Sequence, residues 1–270
     1  YALRIALVGD RAEIDAETIR FHSLDEFFEL STESERDFEY TVSWIDCAFA
    51  GKRLGRGLFS RGNHAIGGRE ALQNISREAP RLRVPFVPPF SLINGATLKA
   101  FNTAYFNRQR GDRATGRQHY RPFFYPLDAV LDWNRIYGPK GFYQYQCAIP
   151  DDHARRAIQR LLETIAASGM GSFLAVLKQF GAVSPVGLLS FATPGVTLAL
   201  DFPNRGERLH HLFQALDRIV LEFGGRLYPA KDGRMGPTVF KFGYPRWREF
   251  NDFVDPRFSS GFWRRVTAGG

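Results

Sequence analysis

The residues best placed to do chemistry are Gln144, Gln146, Lys178 and Lys231, with Thr197, Ala199 and Asp201 beside them in the strand pattern. Gln144 and Gln146 stand two apart in Gly141–Pro150, a run that reads as a strand, so they share one face with Phe142 and Ala148. Lys178 shares a face with Leu174, Val176 and Phe180, and Thr197, Ala199 and Asp201 share another. Two amides and an ammonium among apolar neighbours are costly unless something hydrogen-bonds them. A polar ligand would do so. A solvated face of an antiparallel sheet would do so too, and periodicity alone leaves both open. Lys231 lies in Tyr228-Pro-Ala-Lys-Asp-Gly-Arg234, just past the last expected strand. Loops at strand ends often carry function, although a single loop lysine is usually only surface.

A sheet must position these groups. The sequence predicts strands over 1–8, 12–22, 39–47, 54–61, 141–150, 172–180, 196–202 and 226–228. Ser23 is placed to cap a short helix, with Asp25 and Glu26 in its first turn. Further helices are expected over 97–107, from Asp151 with Ile158, Leu161, Leu162 and Ile165 on one face, over 207–223, and finally over 244–253. Gly224-Gly225 ends the third of these. From residue 141 the order is β-α-β-β-α-β. The expected class is α+β: an antiparallel sheet with a split βαβ (ferredoxin-like) core flanked by helices. The tract 66–122 is irregular, and Arg108–Arg117, charged and without apolar periodicity, predicts a mobile loop.

Composition excludes several classes. The 270 residues are 44% hydrophobic and 24% charged, enough for a sizeable core. The net charge is +8, but the basic residues are scattered. The densest stretches, Lys52–Arg61 and Arg108–Arg121, form no nucleic-acid motif, so no nucleic-acid partner is expected. Cys47 and Cys147 are too few for a disulfide framework and suit a reducing compartment. No Cys/His spacing suggests a metal. The longest uncharged run, Gln179–Leu200, is broken by Pro185 and Pro194 and does not read as a membrane span. No G-x-G-x-x-G follows a strand, and no G-x-S-x-G elbow occurs. Gly51-Lys-Arg-Leu-Gly-Arg-Gly57 has its lysine before the second glycine, so it is not a phosphate-cradling loop. The chain opens at Tyr1 inside a strand-like run, which suggests that this run belongs to an upstream domain.

Several stretches in order resemble one family. They include Ser43-Trp-Ile-Asp46, Leu54-Gly-Arg-Gly57, Tyr125-Pro-Leu-Asp128, Asp132-Trp-Asn-Arg-Ile-Tyr-Gly-Pro139, Gly141-Phe-Tyr-Gln-Tyr-Gln146, Lys178-Gln-Phe-Gly181, Asp201-Phe-Pro203 and Leu221-Glu-Phe-Gly-Gly-Arg-Leu-Tyr228. Together they resemble the decaprenylphosphoryl-ribose oxidase family, FAD enzymes of the vanillyl-alcohol oxidase and aldonolactone oxidase superfamily. The resemblance runs from about residue 38 onward and is poor over 66–118.

That resemblance implies that FAD is held mainly by a domain outside this chain. Residues 1–10 would end that domain, 11–225 would form the substrate-binding domain, and 226–270 would return to the flavin domain. It further implies that Lys231 is the catalytic lysine beside the flavin. Gln144, Gln146, Lys178 and Val176 would line the substrate pocket, with Trp44 at its edge and Arg135 nearby. Tyr228, Lys231 and Thr41 would touch the cofactor. Two departures stand out. The family's pocket tyrosine aligns with Phe124, next to Tyr125, and its pocket cysteine and asparagine align with Ala199 and Thr197. The implied function is oxidation of a secondary alcohol on a sugar or polyprenyl-phosphate sugar. A general base is required, and the sequence singles out none. An aldonolactone-type oxidase and a non-catalytic sugar-phosphate binding module are the alternatives. The resemblance also implies a lipid-linked or small sugar substrate, an epimerising reductase as partner, and a cytoplasmic protein peripheral to the membrane.

Overall fold

Apolar alternation in the C-terminal half dictates which side of each strand is buried, and the computed structural model follows it. The structure describes residues 12–66, 82–231 and 233–268; the strand expected over 1–8 lies outside them. The first strands and helix are β1 (Glu13–Phe21), α1 (Leu24–Ser34), β2 (Tyr40–Ile45) and β3 (Gly57–His64). Next come β4 (Leu82–Arg83), α2 (Gly95–Phe106), β5 (Arg113–His119), α3 (Tyr120–Phe124) and β6 (Val130–Leu131). The C-terminal part holds β7 (Phe142–Pro150), α4 (Asp151–Ser168), β8 (Ala175–Phe180), β9 (Gly195–Pro203), α5 (Glu207–Glu222) and β10 (Arg226–Leu227). Three short helices close it: α6 (Pro237–Gly243), α7 (Trp247–Asn251) and α8 (Gly261–Thr267).

Eight strands form one sheet in the order β10-β7-β9-β8-β2-β3-β1-β5, and every pairing in it is antiparallel. Strands β7, β8, β9 and β10 with α4 and α5 are the expected split βαβ unit, with β9 between β7 and β8. A parallel pair, β4 and β6, stands apart. One sheet face is covered. Ile45, Cys147, Ile149, Leu177, Leu198, Leu200 and Phe202 pack there against Ile158, Leu161, Leu162 and Ile165 of α4 and Leu209, Leu216 and Val220 of α5. These helical residues recur at the 3.6 period, and each fully buried one contributes about 1.5–3 kcal/mol. Gly195 opens β9 at φ +139°, and a Cβ there would meet the Ile149 carbonyl oxygen at 2.0 Å, so only glycine permits this strand pairing.

Two expectations are corrected. Only the first part of the tract expected as a mobile loop, 108–112, is a bend; Arg113–His119 is the edge strand β5, paired along β1. Its side chains are almost all exposed, so no apolar alternation marks it. Arg117 binds Asp15 at 2.7 Å and Arg113 binds Glu17 at 2.9 Å, and such edge charges discourage further strand pairing. The helix expected over 244–253 is cut to Trp247–Asn251. Pro245 forces Tyr244 out of the helical region, to ψ 68°. The chain's last described helix is instead α8, capped by the Ser260 hydroxyl, which accepts from the Trp263 N–H at 3.0 Å.

Candidate active site

Register brings the candidate residues to the sheet face opposite the helices. Gln144 pairs with Asp201, Gln146 with Ala199, Val176 with Ala199, and Lys178 with Thr197. Directly paired residues project to the same side, so all seven share one face. A slip of β7 by one residue would bury its two glutamines in the core and turn out Tyr145 and Cys147. Trp44 pairs with Val176 and extends the face onto β2.

Three adjoining cavities open along this face. The first, about 100 Å³, is lined by Gln144, Gln146, Val176, Ala199, Asp201 and Lys231 among others. It shares Leu174 and Val176 with a larger one of about 580 Å³ bordered by Thr41, Phe124, Tyr125, Trp133 and Lys178. It shares Gln144, Gln146 and Lys231 with the third, which Tyr228 also lines. The larger cavity is walled mostly by aromatic and aliphatic groups with few polar ones, the usual character of a small-molecule site.

Lys231 is held from two sides. The Tyr228 N–H donates to the Gln146 carbonyl at 2.9 Å, which continues the β10–β7 ladder, and the Lys231 N–H donates to the Tyr228 carbonyl at 3.1 Å. Beyond it, the Arg234 guanidinium forks onto Asp217 of α5 at 2.7 and 2.8 Å, and the Tyr145 hydroxyl donates to the same carboxylate at 3.1 Å. The bidentate geometry fixes the turn that carries the lysine. Tyr228 stacks on Phe191 at 4.4 Å. Lys178 is exposed by area, yet its ammonium end is desolvated by the surrounding protein, which lowers its pKa.

Asp201 differs from its neighbours. It is 3% exposed, and its Oδ2 has no hydrogen-bond partner among the described residues. Burial pushes its carboxyl up to about 6, against the lowering effects of the Gln144 amide and the Lys231 charge. The Tyr137 hydroxyl, also buried and without a partner among the described residues, is raised by burial and then by the Asp201 charge. Period-two spacing had put Asp201 on a face with Thr197 and Ala199. The missing signal was that this face is walled in.

The remaining expected residues are distributed as follows. Thr197 is buried and accepts from the Gln146 amide at 3.1 Å. Phe124 meets Tyr40 edge-on at 4.9 Å, and Tyr125 is 55% exposed beside it. Trp44 is covered by Tyr105 at 4.8 Å and donates its indole N–H to the Phe173 carbonyl at 2.8 Å, which puts it at the margin. Arg135 binds the carbonyls of Val84 and Pro85 at 2.9 and 3.1 Å and Asp132 at 3.2 Å; it braces the β4–β6 pair and lines none of the three cavities.

No family model matches the chain. The chain is 36% identical over 260 residues to decaprenylphosphoryl-beta-D-ribose oxidase of Mycolicibacterium smegmatis, covering 93% of this chain and 54% of that protein. It is 34% identical over 143 residues to an uncharacterized protein in the mprA 5'region of Streptomyces coelicolor, covering 51% of this chain and 38% of that protein. Among solved structures, CrmK, a flavoenzyme involved in the shunt product recycling mechanism in caerulomycin biosynthesis, superposes with TM-score 0.46 at 10% identity, over 95% of this chain and 55% of that one. That superposition is too loose to weigh. The chain spans about half the length, or less, of the curated relatives it matches. The chain is thus similar, along nearly its whole length, to about half of a decaprenylphosphoryl-ribose oxidase.

Proposed function

We propose that this chain is the substrate-binding side of an FAD-dependent oxidoreductase that oxidises a secondary alcohol of a sugar or polyprenyl-phosphate sugar. The observation that carries this reading is the convergence of Gln144, Gln146, Asp201 and Lys231 on one cavity that adjoins a larger, aromatic-walled one. The relative's name supports a sugar carried on a lipid phosphate. Two amides suit a sugar's hydroxyls, and Lys178 at the larger cavity suits a phosphate.

The residues present fit a flavin. A cation, Lys231, stands at the junction of the cavities, and Tyr228 and Thr41 offer flat or polar contacts on either side. A bound flavin would supply the two-electron oxidant. Lys231 would orient the substrate oxygen and favour negative charge developing opposite it. Gln144 and Gln146 would fix the sugar ring, and the aromatic wall would exclude water. By this reading residues 1–10 end the flavin domain, 11–225 bind substrate and 226–270 return toward the flavin.

Anaerobic titration of the flavin-loaded protein tests this. Polyprenyl-phosphate pentose should bleach the flavin absorbance, and the free pentose should do so far less well. Bleaching by an aldonolactone alone would favour the lactone-oxidase alternative. No bleaching and no flavin binding would favour a sugar-phosphate binding module.

A further inference from the structure

We propose that Asp201 is the proton acceptor for the substrate hydroxyl, its Oδ2 being the atom that takes the proton. This rests on the oxidoreductase reading and supplies the base that reading lacks. The other two buried aspartates among the described residues are fully engaged: Asp46 by the Arg56 fork at 2.9 and 3.0 Å, and Asp217 by the Arg234 fork. Asp201 alone among these three keeps a buried oxygen without a partner, at 3% exposure, and it is a lining residue of a cavity of about 100 Å³. A buried acceptor left unpaired is costly, and such groups in native proteins mark a bound water, an ion or a ligand. Here the cavity also presents the Gln144 and Gln146 side chains and Lys231, so a hydroxylic ligand meets donors and an acceptor together.

The strand is built to hold the carboxylate in place. The Asp201 N–H is taken by the Ser172 hydroxyl at 3.1 Å, and residue 201 pairs with Gln144 across β7. Of the titratable groups, Lys231 from the turn after β10 lowers its pKa, and the Tyr137 hydroxyl, whose ring stacks on Phe142 at 4.4 Å and Phe173 at 5.9 Å, is itself raised in part by the Asp201 charge. Lys178 lies further along the same face. Desolvation lifts the carboxyl to about 6, the range in which a carboxylate is a useful base near neutrality.

The substrate O–H bond breaks and its proton passes to Asp201 Oδ2. The oxygen electron pair forms the second C–O bond. The adjacent C–H bond breaks, and its electron pair with the hydrogen leaves as hydride to the flavin, the two-electron oxidant. The alcohol becomes a ketone, and the reduced flavin balances it.

Asp201→Asn in the flavin-loaded protein tests this with three readouts. Single-turnover flavin reduction should fall about a hundred- to ten-thousandfold. The rise in rate with pH through about 6 in the wild type should vanish. The melting temperature near neutral pH should rise, since a carboxylate whose desolvation outweighs its partners is removed; a structural role predicts the opposite. As a measurement free of turnover, carboxyl carbon NMR of the wild type should show a resonance, absent from Asp201→Asn, titrating near 6. A variant that fails to fold, a variant with wild-type rate and pH profile, or a carboxyl titrating near 4 would each overturn the assignment while leaving the oxidoreductase reading intact. A wild type whose flavin no sugar alcohol bleaches would overturn both.

Discussion

Asp201 and Lys231 line the same small cavity, and the lysine's charge lowers the pKa of a carboxyl that burial has raised to about 6. The lysine thus offsets part of what burial does to the aspartate. Desolvation wins at the aspartate, and only a partner in the cavity can relieve its unpaired oxygen.

The first consequence is for stability. In an unfolded chain Asp201 titrates near 3.8, and in the folded one near 6. A carboxyl raised on folding binds its proton more tightly in the folded state. Stability is therefore highest below the unfolded value and declines as pH rises through about 6, by roughly 3 kcal/mol from this group. Urea unfolding across pH 3.5–7 should reveal that decline, and in Asp201→Asn it should shrink markedly.

The thiols make a second test. Cys47 and Cys147 are fully buried, and burial pushes both up to about 12, so neither is nucleophilic in the folded protein. The native protein should resist iodoacetamide. Ala199→Cys puts a thiol on the cavity wall and should gain a single label, seen by intact mass. An unlabelled variant would mean that the cavity is closed to small electrophiles.

Gln146 donates to the Thr197 hydroxyl at 3.1 Å and also lines the cavity. Gln146→Leu should change stability by no more than about 1 kcal/mol, because its partner is a single neutral hydroxyl. The same change should raise KM or lower kcat by about tenfold, if the amide orients a substrate hydroxyl. Steady-state kinetics with thermal melting separate the two effects.

The C-terminal half was legible in sequence because α4, α5 and β7 to β9 alternate apolar and polar groups at the periods their packing demands. Gln144, Gln146 and Lys178 stood out as polar groups among apolar neighbours, and register put them together. Edge strand β5 was not legible, since Arg113, Arg117 and Gln118 face solvent and leave no period to detect. Nor was the state of Asp201. Composition shows an aspartate in a strand, but only the assembled sheet shows that one of its oxygens is buried without a partner.

Lys231 decides whether this face is where substrate meets flavin. Stopped-flow flavin reduction by a lipid-linked sugar, comparing wild type with Lys231→Ala, should show a loss of about a hundred- to a thousandfold. Its pH midpoint should move above 6, because the charge that lowers the Asp201 carboxyl is gone. Lys231→Arg should recover little, since a planar fork does not replace a compact ammonium. A Lys231→Ala protein that reduces its flavin at nearly the wild-type rate, with an unmoved pH midpoint, would contradict the placement of the reaction at this face.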